Sequence, residues 1–349
     1  MDAVEILSIG EGEASALFPG SKSAIKKRFW ELAQAWHPDA NGHPKALEVF
    51  AHISRLHDIV IGRARPTPSA AKVATTKTWK LEGTGEIAVR AQAVHPGPLG
   101  DVIVTSGTVA YETVAGFEDV ADSEEAAVRS FRFASDAMKK AMENFLPRQK
   151  RRIDAVGMRV NVFHRPPDTV LLTDLARHMG GRIPPKHVAW IVSSLENMAC
   201  YLNWLGVSHG AISIENVLVS PAMHSVVLVG GWGYSTPFGK RPKALPERTL
   251  SRVPGLAVAG ETADPKVDLA LIRATAMELL GTSGGGGLAL MKDVPDALRM
   301  WLSLPPAENA VEDYQSWERC LVESFGPRKF VKLEVNPADV YAANEKGAL

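Results

Sequence analysis

The run Ile25-Lys26-Lys27-Arg28-Phe29-Trp30-Glu31-Leu32-Ala33-Gln34-Ala35-Trp36-His37-Pro38-Asp39 decides how the N-terminal part of this chain folds. Its apolar residues Ile25, Phe29, Leu32, Ala33 and Trp36 recur at i, i+4, i+7, i+8 and i+11, which places them on one stripe of an α-helix. Pro38 has no amide hydrogen and biases its predecessor away from helical dihedrals, so this helix is expected to stop at Trp36 or His37. A second stripe, Ala46, Phe50, Ile53 and Val60, follows. Together they predict a helical hairpin with His37, Pro38 and Asp39 in its loop. A loop aspartate is not consumed by core packing and can pair with a cation on a partner. Lys26, Lys27 and Arg28 put positive charge on the outer side of the first helix of the hairpin, suited to steering toward an acidic surface; taken alone they read equally well as a solvated helix face.

At these residues the segment resembles a J-domain, the module with which DnaJ-type co-chaperones drive ATP hydrolysis in DnaK-type chaperones. The run 25–39 is similar to the second helix and loop of that family, with Phe29 and Trp36 at its two aromatic places, and Ala46 to Val60 is similar to its third helix. The resemblance covers about residues 1–62, and its first helix, expected near Glu13 to Phe18, matches least well. It implies a DnaK-type chaperone as partner and His37, Pro38, Asp39, Lys26, Lys27 and Arg28 as the chaperone-binding residues. Glu31 and Ala35 stand where basic residues are common in the family, so the basic face is thinner here.

The remainder is bounded by composition. With 349 residues the chain can hold two or three domains, and its formal net charge of zero gives no global preference for nucleic acid or an acidic membrane surface. Cys200 and Cys320 are too few and too far apart for a zinc ribbon. Two cysteines and no evident signal sequence lead to the expectation of a reducing, cytoplasmic setting. The longest uncharged run, Asn216 to Gly239, contains Pro, His and several Ser and Gly, and reads as strands and turns, with no membrane span.

Residues 63–78, around the Arg-, Pro-, Ala-, Ser- and Thr-rich stretch Gly62 to Thr76, are expected to be a linker. Short β-like runs follow at Glu86 to Ala93, Asp101 to Thr105 and Thr108 to Val114, then an expected long helix from Glu124 to Leu146 and strands at Arg159 to Phe163 and Thr169 to Leu172. His187 to Leu205 reads as helix, and Asn216 to Val219 and Ser225 to Val229 as short strands.

This order, a small β-rich lobe with a helix and then a helical lobe, is the layout of a protein kinase. His209-Gly210-Ala211-Ile212-Ser213-Ile214-Glu215-Asn216-Val217-Leu218-Val219 resembles the kinase catalytic loop and the strand after it. Asp268-Leu269-Ala270-Leu271 resembles the start of the helix whose Asp braces that loop, and Val229-Gly230-Gly231-Trp232-Gly233 lies where the metal-binding Asp-Phe-Gly segment would be. The resemblance covers roughly residues 80–335. It implies a multidomain chain: an all-α J-domain helical hairpin (1–62), the linker (63–78), then an α+β bilobal protein-kinase-like fold with an N-lobe (79–170), a C-lobe (171–335) and a C-terminal tail (336–349).

The chemistry that such a fold carries is missing from the motifs. Phosphoryl transfer needs an Asp at the substrate hydroxyl, a Lys on the phosphates, and an Asp and an Asn on the metal ions. Ala211 stands at the catalytic Asp position, Ser213 at the nearby Lys position and Gly231 at the metal-binding Asp position; Asn216 remains. No lysine occurs from Leu81 to Met138, where the nucleotide-binding Lys belongs near Val109-Ala110-Tyr111-Glu112, and Glu112 is expected to occupy its place. Gly83-Thr84-Gly85-Glu86-Ile87-Ala88 is an incomplete echo of the glycine-rich loop and reads otherwise as a plain turn. Asp268 is expected to act as a structural brace. Trp190, Trp204 and Trp232 are expected in the core, and Ser208 and Ser213 flank His209 without an evident triad partner.

The sequence therefore reads as a J-domain co-chaperone that stimulates a DnaK-type chaperone ATPase. Its catalytically dead kinase-like domain would bind or position an unidentified protein client, with no cofactor, no nucleic acid and no membrane. The alternatives are a divergent phosphotransferase and a non-catalytic scaffold or assembly protein.

Overall fold

The computed structural model describes residues 2–10, 13–36, 41, 43–60, 75–253, 261–282 and 285–342. It is mixed helix and sheet in two compact units, one of residues 1–70 with 281–292 and the other of residues 71–280 with 293–349.

The first unit is helical: α1 (Ala3–Ser8), α2 (Ala14–Leu17), α3 (Lys22–Ala35) and α4 (Ala46–Val60). Asp2 and Glu5 form a reciprocal capping box that starts α1, so the first helix lies earlier than expected and only one turn forms near Glu13 to Phe18. Ser21 caps α3 through Ala24 N–H, and Trp36 is its C-cap, where the prolyl two residues on requires an end. Ile25, Leu32 and Trp36 of α3 share a core with Ile6, Leu17, Phe18 and the α4 residues Val49, Ile53 and Leu56. The buried stripe of α4 is thus Ala46, Val49, Ile53 and Leu56; Phe50 and Val60 sit at its half-buried margin. His57 stacks on Phe29 with ring centroids 4.1 Å apart, and His52 Nε2 lies 3.0 Å from Ile9 O, so both histidines are taken up by packing.

The second unit opens with β1 (Thr75–Lys80), β2 (Glu86–Ala91), β3 (Ala93–Pro96), β4 (Asp101–Val104) and β5 (Thr108–Val114). Strand β1 corrects the linker expectation: residues 75–78, Thr-Thr-Lys-Thr, pair with β2, while 63–74 lie outside the described residues. Gly83 and Gly85, both at positive φ, make the turn of this hairpin. Next come α5 (Glu118–Arg129), α6 (Asp136–Met142), β6 (Gln149–Ala155) and β7 (Met158–His164). The expected long helix from Glu124 to Leu146 is therefore two helices. Ser135 caps α6, and the intervening Phe131 and Phe133 reach Trp232 and Tyr201, aromatic contacts that a continuous helix would forgo. Strands β3 to β7 form one antiparallel sheet in the order β3-β4-β5-β7-β6. Hairpin β1–β2 packs over one face of it through Trp79, Ala91, Ile103, Ala110, Val160 and Val162. α5 lies against the other, where Asn161 Nδ2 donates to Ala121 O.

The chain continues with β8 (Val170–Leu171), α7 (Leu172–His178), α8 (Pro185–Leu205), β9 (Val207–Ser208), β10 (Val217–Ser220), β11 (Ser225–Leu228), β12 (Thr236–Pro237), α9 (Glu247–Arg252) and α10 (Pro265–Leu279). α11 (Gly285–Ala289) belongs to the first unit, and α12 (Asp296–Ser303), α13 (Ala310–Phe325) and α14 (Pro337–Ala342) complete the second. α8 is the central helix: Pro185 starts it, Gly206 at φ 74° ends it, and Val188, Ile191, Leu195, Met198 and Leu202 are buried. The expected tail is also corrected. Residues 337–342 are helical, Val340 and Tyr341 are buried, Tyr341 Oη accepts from Leu171 N–H at 3.0 Å, and Arg165 lies over the Tyr341 ring. Among the described residues no helix is long and apolar enough to cross a membrane.

Candidate functional site

His37, Pro38 and Asp39 lie outside the described residues. The basic residues beside them are placed: Lys26 and Lys27 are exposed on α3, and Arg28 lies 3.6 Å from Glu31 one turn on. Arg28 is thereby partly neutralised by the residue whose acidity the sequence had singled out.

In the second unit the structure brings His209, Ala211, Asn216, Gly231 and Asp268 into one cluster. Asp268, at the start of α10, is buried and accepts from His209 N–H at 2.7 Å and Gly210 N–H at 2.9 Å. Burial pushes its pKa up to about 6, against the pull of those two amides. His209 is fully buried. Ala211 N–H donates to its Nδ1 at 3.2 Å, so its proton sits on Nε2, which donates to Gly230 O at 3.1 Å. Burial drives its pKa down to about 3, and both ring nitrogens are occupied, so it is no base for Ser208 or Ser213. Asn216 Nδ2 donates to Ala211 O at 2.8 Å, which ties this side chain to the loop backbone. Ser213 is buried, and its carbonyl accepts from Asn216 N–H.

Gly231 has φ 83°, and a Cβ there would lie 2.8 Å from Asn216 Nδ2 and 3.0 Å from both Ala211 Cβ and His209 Cε1. An aspartate at this position would need the left-handed conformation and space that neighbouring atoms fill. Gly231 N–H instead donates to Glu124 Oε1 at 3.0 Å, and Asn161 Nδ2 donates to Glu124 Oε2 at 2.9 Å. Glu124 is buried on α5. Burial raises its pKa, and the donors Asn161, Gly231 and Trp232 pull it back. Trp232 packs at the same turn, edge-on to His209 and to Phe131.

The sheet closes the cluster from above. Alternation along β5 turns Ala110 and Glu112 to the hairpin face and Tyr111 to the opposite face. This corrects the expectation for Glu112. Its carboxylate accepts from Trp79 Nε1 at 2.6 Å and Asp101 N–H at 3.1 Å and pairs with Lys77, away from the cluster. Tyr111 is the β5 side chain that meets the loops: its hydroxyl donates to Glu215 O at 3.3 Å, and its ring lies against Gly230 so closely that a Cβ there would overlap it. Burial first, and then the Glu124 and Glu215 carboxylates, hold its phenol well above the usual value. A further clasp joins sheet to helices, His95 Nε2 of β3 lying 2.9 Å from Asp174 Oδ1 of α7, both buried.

Sequence reasoning missed Glu124, Tyr111, His95 and Asp174. The period-2 register of Thr108 to Val114 was the available signal for Tyr111; the others are brought in only by tertiary packing. Of the tryptophans expected in the core, Trp232 is buried. Trp190 is half-buried, stacked on His224, and Trp204 is exposed, at the C-terminal end of α8 beside Tyr201 and Arg132. Among the described residues no group of three His, Cys, Asp or Glu is placed to hold a metal ion. Compared with known proteins, the chain matches no family model and no curated sequence.

Chemically, the cluster offers no ionised base at position 211, no cation facing the loops from β5 and no carboxylate at position 231. What it does offer is rigidity: Asp268, His209 and Glu124 each hold two neighbours, and Asn216 ties the loop to its own backbone.

Proposed function

We propose that this chain is a J-domain co-chaperone whose second unit is a kinase-like binding module without catalysis. The observation that carries the first part is the helix pair α3 and α4, on which residues 25–36 of the run place Ile25, Leu32 and Trp36 in the core and leave Lys26 and Lys27 exposed. In this reading Lys26 and Lys27 guide α3 to an acidic patch on a DnaK-type chaperone, and His37, Pro38 and Asp39 make the contact that triggers ATP hydrolysis. Arg28, shared with Glu31, contributes less. The second unit would bind or position a protein client, and the setting would be cytoplasmic.

The non-catalytic reading of the second unit is supported by Tyr111 against Gly230, by Glu124 on the Gly231 amide, and by the absence of a carboxylate at 211 and 231. Each missing charge removes electrostatic stabilisation that phosphoryl transfer depends on. The divergent-phosphotransferase alternative would have to work without these charges.

The deciding experiment measures steady-state ATPase of a DnaK-type chaperone with the full chain and with its Asp39→Asn variant. Stimulation by the parent and its loss in the variant, with unchanged circular dichroism, are expected. No stimulation by the parent removes the co-chaperone reading, and equal stimulation by Asp39→Asn removes Asp39 from the contact.

A further inference from the structure

Outside the cluster at 209–231, hairpin β1–β2 and the sheet face it covers border an open cavity of about 310 Å³. Trp79, Val89, Ala110 and Val162 form its apolar walls, and Thr105 and Thr108 contribute at one end. The polar groups of this lining are already committed. Trp79 Nε1 donates to Glu112, and the Thr105 and Thr108 hydroxyls bond each other at 2.7 Å. The interior therefore presents hydrocarbon and an indole ring.

The remaining lining residues are Lys150 and Arg151, both exposed. Adjacent residues of a regular strand point to opposite faces, so two consecutive side chains on one cavity need a cause. The cause is a register irregularity in β6: Gln149 pairs with Phe163 and Arg151 with Val162, so Lys150 is the extra residue of a bulge. Arg151 shares its face with Ile153, which is in the core under the hairpin. Elsewhere on this strand the cations are paired, Arg152 with Asp122, Glu125 and Asp154. Lys150 and Arg151 have no side-chain hydrogen bond or ion pair among the described residues.

We propose that this cavity binds a small amphiphilic carboxylate, with its apolar body against Trp79, Ala110 and Val162 and its carboxylate held by Lys150 and Arg151. The volume is at the small end of ligand sites and holds on the order of ten non-hydrogen atoms at interior packing density. Two unpaired cations fix the sign of the headgroup, and a carboxylate can accept from both at once. The apolar walls reject a fully polar anion, whose remaining oxygens would find no donor inside.

The test is isothermal titration of octanoate into the full chain, beside octylammonium and octanol of the same chain length. Octanoate is expected to bind with a Kd of about 1 mM or tighter, as suits about ten well-buried atoms. The double variant Lys150→Glu/Arg151→Glu, changed at exposed positions, is expected to weaken octanoate at least about tenfold. Val89→Phe, which fills the cavity from the hairpin side, is expected to abolish binding; if it fails to fold, the charge-reversal variant still decides. No octanoate binding at about ten times the expected Kd overturns the proposal. So does equal binding by the double variant, or octanol binding as tightly as octanoate, which would leave an apolar void without a carboxylate site.

Discussion

A single methyl group at Gly230 tests whether Tyr111 seals the loop cluster. Gly230 is not among the glycines at positive φ, so alanine there introduces no backbone strain and its effect reports packing alone. An added Cβ would stand 2.6 Å from Tyr111 Cε1 and 2.5 Å from Oη, with Cζ closer still. The ring has little freedom to retreat. Phe163 meets it edge-on at 6.0 Å, and its hydroxyl holds Glu215 O. Overpacking of this kind costs about 1–3 kcal/mol. At roughly 2–4 °C per kcal/mol for a domain of this size, Gly230→Ala should lower Tm by roughly 2–12 °C. The decisive assay is a double-mutant cycle by urea unfolding with Tyr111→Leu, which removes the ring edge that the methyl would strike. A coupling of about 0.5–3 kcal/mol is expected, the second substitution relieving the first. If Gly230→Ala costs the same with Tyr111 present or replaced, the ring does not rest on Gly230 and the sealed cluster is wrong.

Two further outcomes follow from buried charge. Full-chain thermal melts with and without Mg²⁺-ATP should superimpose, because a bound nucleotide would raise Tm by mass action and no lysine faces the loops from β5; a magnesium-dependent rise would revive phosphotransfer. Glu196 is fully buried on α8, its carboxyl raised well above 4.5 by burial and by Asp313. Its folded pKa thus exceeds its unfolded one, so the folded protein keeps a proton the unfolded chain releases, and stability falls as pH rises through and above 4.5 toward that raised value. Glu196→Gln, which carries the neutral form permanently, should flatten the fall of urea midpoints as pH rises above 4.5, and an unchanged slope would show that Glu196 is not the group responsible.

The sequence was most legible where periodicity and local punctuation act alone. The end of α3 at Trp36 followed from a prolyl, α8 from its apolar stripe, and β10 and β11 from short apolar runs between turn residues. It was least legible where tertiary contacts outbid local preference. The helix expected across residues 124–146 breaks because Phe131 and Phe133 find aromatic partners more than sixty residues away. Strand β1 was hidden in a Thr- and Lys-rich segment whose pairing with β2 becomes favourable only once Trp79 has a sheet to cover. The cluster at 209–231 was readable as missing charges, but not as a packed surface. Assigning Glu112 to the loop face failed by one residue of register, and a one-residue shift on a strand reverses the face of every side chain.

That reversal changes the argument about the cluster. In working kinases a strand lysine and a helix glutamate form an ion pair that must be in place for activity. Here α5 supplies a buried carboxylate, Glu124, but β5 supplies a phenol, and Glu124 takes backbone and amide donors from Gly231 and Asn161 instead. Those donors belong to the protein itself, so α5 is held to the Gly231 turn with no nucleotide among its partners. A ligand shifts a protein only through differential affinity for two of its states. On the proposed reading the second unit therefore has no nucleotide-dependent form, and it presents one constant surface to its client. Control of the client would then rest with the chaperone that Asp39 engages, with no switch inside the kinase-like fold. Tyr111 meets the loops through Gly230 and Glu215 O while Glu124 holds α5 to Gly231, so freeing the ring without adding a cation should relax the Gly230 contact, leave α5 in place and still admit no phosphate.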